Sequence, residues 1–141
     1  MEEHGTWIEV PVSEADGHQI LPGTWTFKRK RAPDGTFKKF KARFCVRGDL
    51  QKKYNDEIET YAPVVSFSTL RLFLCVSLCL GWETCAVDFC NAFVQAKQPE
   101  PLFLHLPRGF KSKWPSKEKT CLSLQKSLYG NAQAPRLFYE L

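Results

Sequence analysis

The segment that most constrains this chain is residues 37–47, where apolar and cationic side chains alternate with period two. Phe40, Ala42, Phe44 and Val46 fall on one side of an extended chain. Lys39, Lys41, Arg43 and Arg47 fall on the other. Residues 24–31 precede it, opening with the β-prone run Thr24-Trp25-Thr26-Phe27. Between the two lies Ala32-Pro33-Asp34-Gly35, a turn signal: proline presets φ, aspartate caps locally, and glycine tolerates positive φ. The expectation is an antiparallel hairpin over residues 24–47 with one greasy face and one cationic face. Nine basic residues stand against one acid between Thr24 and Gly48, whereas the rest of the 141-residue chain carries a slight acidic excess. Such a patch has two readings: a solvated charged surface, or a surface for a polyanion bound through counterion release.

Elsewhere the pattern predicts an α+β domain. Residues 1–23 read as irregular, punctuated by Pro11, Gly17, Pro22 and Gly23, with a short extended piece at 7–10. A polar connector over 48–63 leads to Ser66 or Ser68 as a helix N-cap. Residues 69–80 are apolar nearly all round and predict a buried helix ended by Gly81. A buried strand is expected over 83–89, with Cys85-Ala86-Val87 running into Asp88, then a turn or helical start at Asn91-Ala92-Phe93. Short strands follow at 102–106 and 120–125, with Pro107-Arg108-Gly109 and the lysine-rich 111–119 as loop; a helix begins at 133. It runs only about two turns, and its aromatic residues read as unpartnered, as in a fragment. No apolar run is long enough to span a bilayer, and the acidic start of the chain does not resemble a secretory signal. None of the six cysteines forms a C-x-x-C pair, and most lie in apolar runs. They read as reduced, partly buried thiols of an intracellular protein, with cytoplasm and nucleus left open.

Asp88 is the residue whose position most suggests chemistry. An acid at the end of an apolar strand has no neighbour in sequence to neutralise it, and burial raises a carboxyl pKa unless a cation or metal lies close. The alternative is a capping or surface aspartate. His4, His18 and His105 lack partners at metal-ligand spacing, and no G-x-S-x-G, P-loop or G-x-G-x-x-G is present.

Eight motifs in order then carry a resemblance. They are Trp25-Thr26-Phe27-Lys28 with Asp34-Gly35; Lys41-Ala42-Arg43-Phe44-Cys45-Val46-Arg47-Gly48; Glu59-Thr60-Tyr61-Ala62-Pro63-Val64-Val65; Leu70-Arg71; Gly81-Trp82-Glu83; Val87-Asp88-Phe89-Cys90-Asn91-Ala92-Phe93; Leu106-Pro107-Arg108-Gly109-Phe110; and Lys126-Ser127-Leu128-Tyr129-Gly130 through Gln133-Ala134-Pro135-Arg136. Over residues 7–141 the chain resembles the N-terminal half of the reverse transcriptase of copia-type long-terminal-repeat retrotransposons. The resemblance implies part of a right-hand polymerase, with residues 24–141 as a fingers and palm fragment after the irregular 1–23. Asp88 would be the first catalytic aspartate and a ligand of two Mg²⁺ (or Mn²⁺) ions. Lys41 and Arg43 would lie near the incoming deoxynucleoside triphosphate, as would the amides of Phe89, Cys90, Asn91 and Ala92. Phe93 would sit beneath the sugar and block a 2′-hydroxyl, although plain core packing also fits it. Tyr129, Gly130 and Gln133 would shape the template and nucleotide pocket, and Lys39 and Arg47 would contact nucleic acid. The implied partners are an RNA or DNA primer-template and the remaining polymerase and RNase H portions of a polyprotein, with no membrane.

The chain departs from the family pattern at Asn131-Ala132, where leucine and lysine usually precede Gln-Ala-Pro, and at Phe138, where tryptophan is usual. It also ends before the family's Tyr-x-Asp-Asp hairpin, the thumb and the RNase H domain. Two-metal transfer needs several oxygen ligands around ions about 3.5–4 Å apart. The expectation is therefore a polymerase fragment inactive alone; a non-enzymatic basic nucleic-acid-binding module and a non-functional retroelement remnant are the alternatives.

Overall fold

A computed structural model describes residues 4–51, 60–114 and 119–141. Glu59 of the third motif and Lys117 of the lysine-rich loop lie outside the described residues. The described chain is α+β: a four-stranded mixed sheet, a separate two-stranded hairpin and two α-helices.

The mixed sheet is assembled from both ends of the chain. Strand β1 (Trp7–Pro11) pairs antiparallel with β6 (Thr120–Leu124), which pairs antiparallel with β5 (Phe103–His105). Strand β2 (Ile20–Leu21) adds parallel to β5, giving the order β1-β6-β5-β2. Period two divides the buried residues. Leu104, Leu122 and Leu124 face a core with Leu21, Phe44, Val46, Val94, Leu102 and Leu128, while Phe103 and Cys121 face Val10 and Ala15 on the other side. Each fully buried leucine contributes about 2 kcal/mol of transfer free energy. The N-terminal segment is thus more ordered than its glycines and prolines suggest: the extended piece expected at 7–10 is β1, Val12–Ala15 form a 3₁₀ turn, and Val10, Ala15 and Leu21 are core.

Glu9 joins this sheet to a distant loop. Its carboxylate accepts hydrogen bonds from the Ser112 hydroxyl, from the Lys113 amide at 3.0 Å and from Thr120 Oγ1 at 2.8 Å. Desolvation pushes the carboxyl up, but these bonds and the Lys113 charge outweigh it and hold Glu9 below its ordinary value. A depressed folded-state pKa stabilises the fold above the unfolded value of about 4.3, and that contribution is lost as pH falls through the folded value. Glu9→Gln is therefore expected to flatten the loss of stability between about pH 5 and pH 3, without abolishing it, because Asp34 and Asp49 are depressed in the same sense. Urea denaturation across that range checks this.

The hairpin comprises β3 (Gly23–Arg31) and β4 (Phe37–Val46), within a residue of the expected bounds. Only the base of its greasy face is buried: Phe44 and Val46 enter the core, while Phe27 and Phe40 are exposed. Helix α1 (Phe67–Leu80) forms where the sequence predicts one. Ser66 caps it by accepting from the Thr69 amide at 3.1 Å, and Gly81 ends it at φ +66°. It is not the buried helix expected: of its residues only Ser77 is buried, and Leu72 and Leu78 stand in solvent. All-round apolarity shows that a helix has something to cover, but the cover itself is a tertiary property. None of the described helices is long and apolar enough to cross a membrane.

Two further expectations are corrected. Residues 83–89 form no strand and are exposed, because no described strand offers them a ladder. The cysteines are free, but only Cys121 is buried and Cys45 half-buried; Cys75, Cys79, Cys85 and Cys90 are exposed. The short strands β5 and β6, the 3₁₀ turn Ala92–Gln95 and helix α2 (Ala134–Tyr139) lie where the sequence places them.

Candidate nucleotide and nucleic-acid interface

The hairpin turn sets the register of the cationic face. Asp34 Oδ1 accepts from the Thr36 amide at 2.9 Å and its hydroxyl at 2.7 Å, and Gly35 takes φ +86°. Ala32 donates back to the Thr36 carbonyl, and Arg31 reaches the Gly35 carbonyl at 2.8 Å. With one irregularity between Lys30 and Arg31, this register sets Lys28 opposite Lys41, Lys30 opposite Lys39 and Thr26 opposite Arg43. Five cations therefore share one face. Period two within residues 37–47 finds three of them; Lys28 and Lys30 require the cross-strand register, which the turn residues could have supplied. Arg47 leaves this set. It lies beyond the end of β4 and forms a two-pronged ion pair with Asp49, at 2.8 and 2.7 Å.

Like charges facing each other across a ladder are unfavourable. The Lys41 ammonium registers the crowding of cations on this face: Arg43 of the same strand foremost, then desolvation, then Lys30 across the ladder and Lys39 push its pKa below the ordinary lysine value. The Asp88 carboxylate opposes them, so the two side chains are in electrostatic reach of one another. Asp88 is exposed on the segment leading to Asn91, not at the end of a buried strand.

Arg43 points along the same face toward Tyr129, its guanidinium carbon 6.0 Å from the ring centroid. Tyr129 meets Phe93 edge-on at 4.9 Å; Phe93 and Phe89 in turn meet Phe138 of α2 at 6.1 and 5.4 Å. This aromatic chain exists because β4 is fastened to the Tyr129-Gly130 turn. The Val46 amide donates to the Tyr129 carbonyl at 2.7 Å and the Gly48 amide to the Gly130 carbonyl at 3.1 Å. Asn91 adopts the left-handed conformation at φ +53° and starts the 3₁₀ turn carrying Phe93, while Gln95 donates to the Cys90 carbonyl at 3.0 Å. Ala62, Pro63, Val64, Phe89, Phe93, Pro135, Phe138, Tyr139 and Leu141 line an open apolar cavity of about 630 Å³. Pieces of three separate sequence motifs thus meet at one groove.

Asn131 is buried. It donates to Gln98 Oε1 at 2.9 Å and accepts from the Gln133 amide at 3.2 Å, which gives this unusual residue a structural role at the start of α2. The Gln133 side-chain oxygen is buried without a hydrogen-bond partner among the described residues. The structure thus brings Arg43, Tyr129 and Phe93 together, while Asp88 lies exposed and reaches Lys41 through its charge alone. Lys39 sits farther out on the same hairpin face, and Arg47 points elsewhere.

Residues 6–141 match the family described as reverse transcriptase (RNA-dependent DNA polymerase). The chain belongs to that family. The family read from the eight motifs is the one that matches. The chain is 33% identical over 135 residues to the retrovirus-related Pol polyprotein from transposon RE1 of Arabidopsis thaliana, a match that covers 95% of this chain and 9% of that protein. It is also 33% identical over 141 residues to the retrovirus-related Pol polyprotein from transposon TNT 1-94 of Nicotiana tabacum, covering 99% of this chain and 10% of that one. Against the transposon Ty1-ER2 Gag-Pol polyprotein of Saccharomyces cerevisiae, identity is 31% over 134 residues, covering 90% of this chain and 7% of that protein. The chain therefore spans at most about a tenth of the length of these curated relatives. No solved structure matches it.

Reverse transcriptases imply a divalent metal. Among the described residues, no group of three or more His, Cys, Asp or Glu side chains gathers where it could hold one. Asp88 offers one exposed carboxylate, and hard divalent cations need several oxygen ligands. The described residues by themselves do not make a complete cation site.

Proposed function

We propose that this chain is the nucleotide-facing part of a copia-type retrotransposon RNA-directed DNA polymerase, with residues 24–141 forming fingers and part of a palm. In this reading the β3–β4 hairpin is the fingers element, Lys41 and Arg43 attract the triphosphate, and Phe93 lies under the deoxyribose. The amides of Phe89, Cys90, Asn91 and Ala92 follow Asp88 and face the phosphates, Tyr129, Gly130 and Gln133 border the base pocket, and Lys39 approaches the primer-template, whereas Arg47 is engaged by Asp49. The observation carrying this reading is a ladder that sets lysine opposite lysine, with the Asp88 carboxylate among the charges that act on Lys41. A sheet that holds lysines against lysines gives up stability unless an anion joins them. Arg43 over Tyr129, itself against Phe93, supports the same reading by linking the cationic face to the aromatic floor.

The residues of this chain would bind and orient a triphosphate rather than complete its transfer. Asp88 is the candidate catalytic and metal-binding residue for Mg²⁺ or Mn²⁺, and when bound such ions neutralise phosphate charge. Among the described residues no cluster of carboxylates joins Asp88 to repay the dehydration of two ions, so we expect the chain to be inert by itself, its other ligands coming from further polymerase segments of a polyprotein that also carries RNase H. Exposed free thiols suit a reducing compartment, cytoplasmic or nuclear. A primer-extension assay with the purified chain and Mg²⁺ or Mn²⁺ is expected to give no templated incorporation; extension dependent on Asp88 would overturn the inertness.

The lysine ladder also favours a second reading, a non-enzymatic polyanion-binding module. It shares the salt-sensitive binding but requires no role for Asp88. Asp88→Asn leaving the function of a reconstituted polymerase intact would favour it.

A further inference from the structure

Helix α1 carries two thiols at helical spacing. Cys75 and Cys79 stand four residues apart, which makes them neighbours on one side of the helix, and both are exposed. At 3.6 residues per turn each lies about 160° from Ser77, the one buried residue of α1, so the pair shares the face turned away from it. The Ser77 hydroxyl is already engaged, donating to the Phe73 carbonyl at 2.8 Å. The surroundings of the thiols are apolar: Leu72, Val76 and Leu78 are exposed around them. No acid lies within α1, and its single charged residue is Arg71, one turn before Cys75.

Spacing decides what such a pair can do. Side chains four apart on a helix hold their Cβ atoms about 5–6 Å from one another. A disulfide needs about 3.5–4.5 Å, so the two sulfurs cannot be joined directly without distorting the helix. One interposed ion fits, because two metal–thiolate bonds of about 2.3 Å set the sulfurs no more than about 4.6 Å apart. Thiolates without carboxylates disfavour Mg²⁺ and Ca²⁺, which take oxygen, and favour soft ions such as Cu(I). Tetrahedral zinc would require further ligands, and among the described residues no third His, Cys, Asp or Glu gathers with these two. Cu(I) accepts linear ligation by two sulfurs alone. We infer that Cys75 and Cys79 form a two-coordinate site for a soft monovalent cation of the Cu(I) class on the outer face of α1. Binding replaces two S–H bonds by two S–Cu bonds with no change of oxidation state. Two protons pass to water, and the complex carries one negative charge, which Arg71 has the sign to balance. The site is distinct from that of the hard divalent ions considered above. It does not rest on the polymerase reading, because it uses neither Asp88, nor the lysine face, nor the groove beside Phe93.

The test uses the full chain, reduced and kept free of oxygen, with Cu(I) supplied as its acetonitrile complex and bathocuproine disulfonate as a coloured competitor. The wild-type chain is expected to withdraw one ion from the chelator and to melt at a higher temperature with the ion than without it. Cys75→Ser and Cys79→Ser are each expected to lose that ion to the competitor. Cys85→Ser combined with Cys90→Ser removes two exposed thiols and is expected to keep it. Cys79→Ser combined with Leu80→Cys leaves the number of thiols unchanged but turns the second one about 100° round the helix, and is expected to lose the ion. Every changed position is exposed, and circular dichroism without the ion confirms that the variants fold. Retention of the ion by the chain with the relocated thiol, or by both single serine variants, would overturn the site. So would failure of the wild-type chain to withdraw the ion, loss only on changing Cys85 and Cys90, or sedimentation showing that the ion joins two chains instead of bridging one helix.

Discussion

Gly130→Ala is expected to destabilise the fold by about 3 kcal/mol, the largest effect of any conservative change at the candidate site. Two costs combine. Gly130 has φ +86°, which a side-chain-bearing residue adopts only with strain. A Cβ there would also stand 2.1 Å from the Val46 carbonyl oxygen, backbone that cannot swing aside. Gly48 has the reciprocal problem, since its Cβ would lie 2.0 Å from the Gly130 carbonyl oxygen. The two glycines let β4 and the Tyr129-Gly130 turn approach closely enough for the bonds from Val46 and Gly48. Those bonds bring Tyr129 beneath Arg43, so a side chain at Gly130 should loosen the site as well as the fold. Gly109→Ala is the control: it has the same φ of +86° but nothing within 4 Å of a Cβ, and is expected to cost only about 1 kcal/mol. Urea melts of the two variants, with tryptophan fluorescence as the probe, separate clash from backbone strain. Equal losses would mean that the close approach contributes nothing.

Lys41→Glu is expected to move binding and stability in opposite directions. Affinity for a short DNA duplex should fall by about a hundred-fold at low salt, and the dependence of log K on log salt should become shallower by about one to two units, as phosphate contacts and their counterion release are lost. The melting temperature should rise at low salt, because glutamate facing Lys28 and flanked by Arg43, Lys39 and Lys30 turns repulsion into attraction. High salt should erase the stabilisation by screening. An ordinary surface lysine would show neither the large binding loss nor the gain in stability. A Lys41→Glu protein that binds less well and is also less stable would point to a packing role for the side chain, and would remove the basis for assigning this face to phosphates.

Local physics made much of this molecule legible from the residues in order. Alternation in residues 37–47 and the Pro33-Asp34-Gly35 turn specify the hairpin, because strand period and turn chemistry act over a few bonds. Ser66 and Gly81 mark the ends of α1 for the same reason: capping is satisfied by near neighbours. Family membership was legible too, since it resides in the order and spacing of motifs. Burial was not. Residues 67–80 and 83–89 have core-like sequences yet stand in solvent, because hydrophobicity states a demand for contact and only tertiary packing supplies it. The candidate site divides along the same line. Asp88, Lys41 and Arg43 are prominent in the sequence. The pairing of Lys28 with Lys41 depends on strand register, and the glycine-to-backbone approach that seats Tyr129 depends on contacts between residues more than eighty positions apart, and these exist only once the chain has folded.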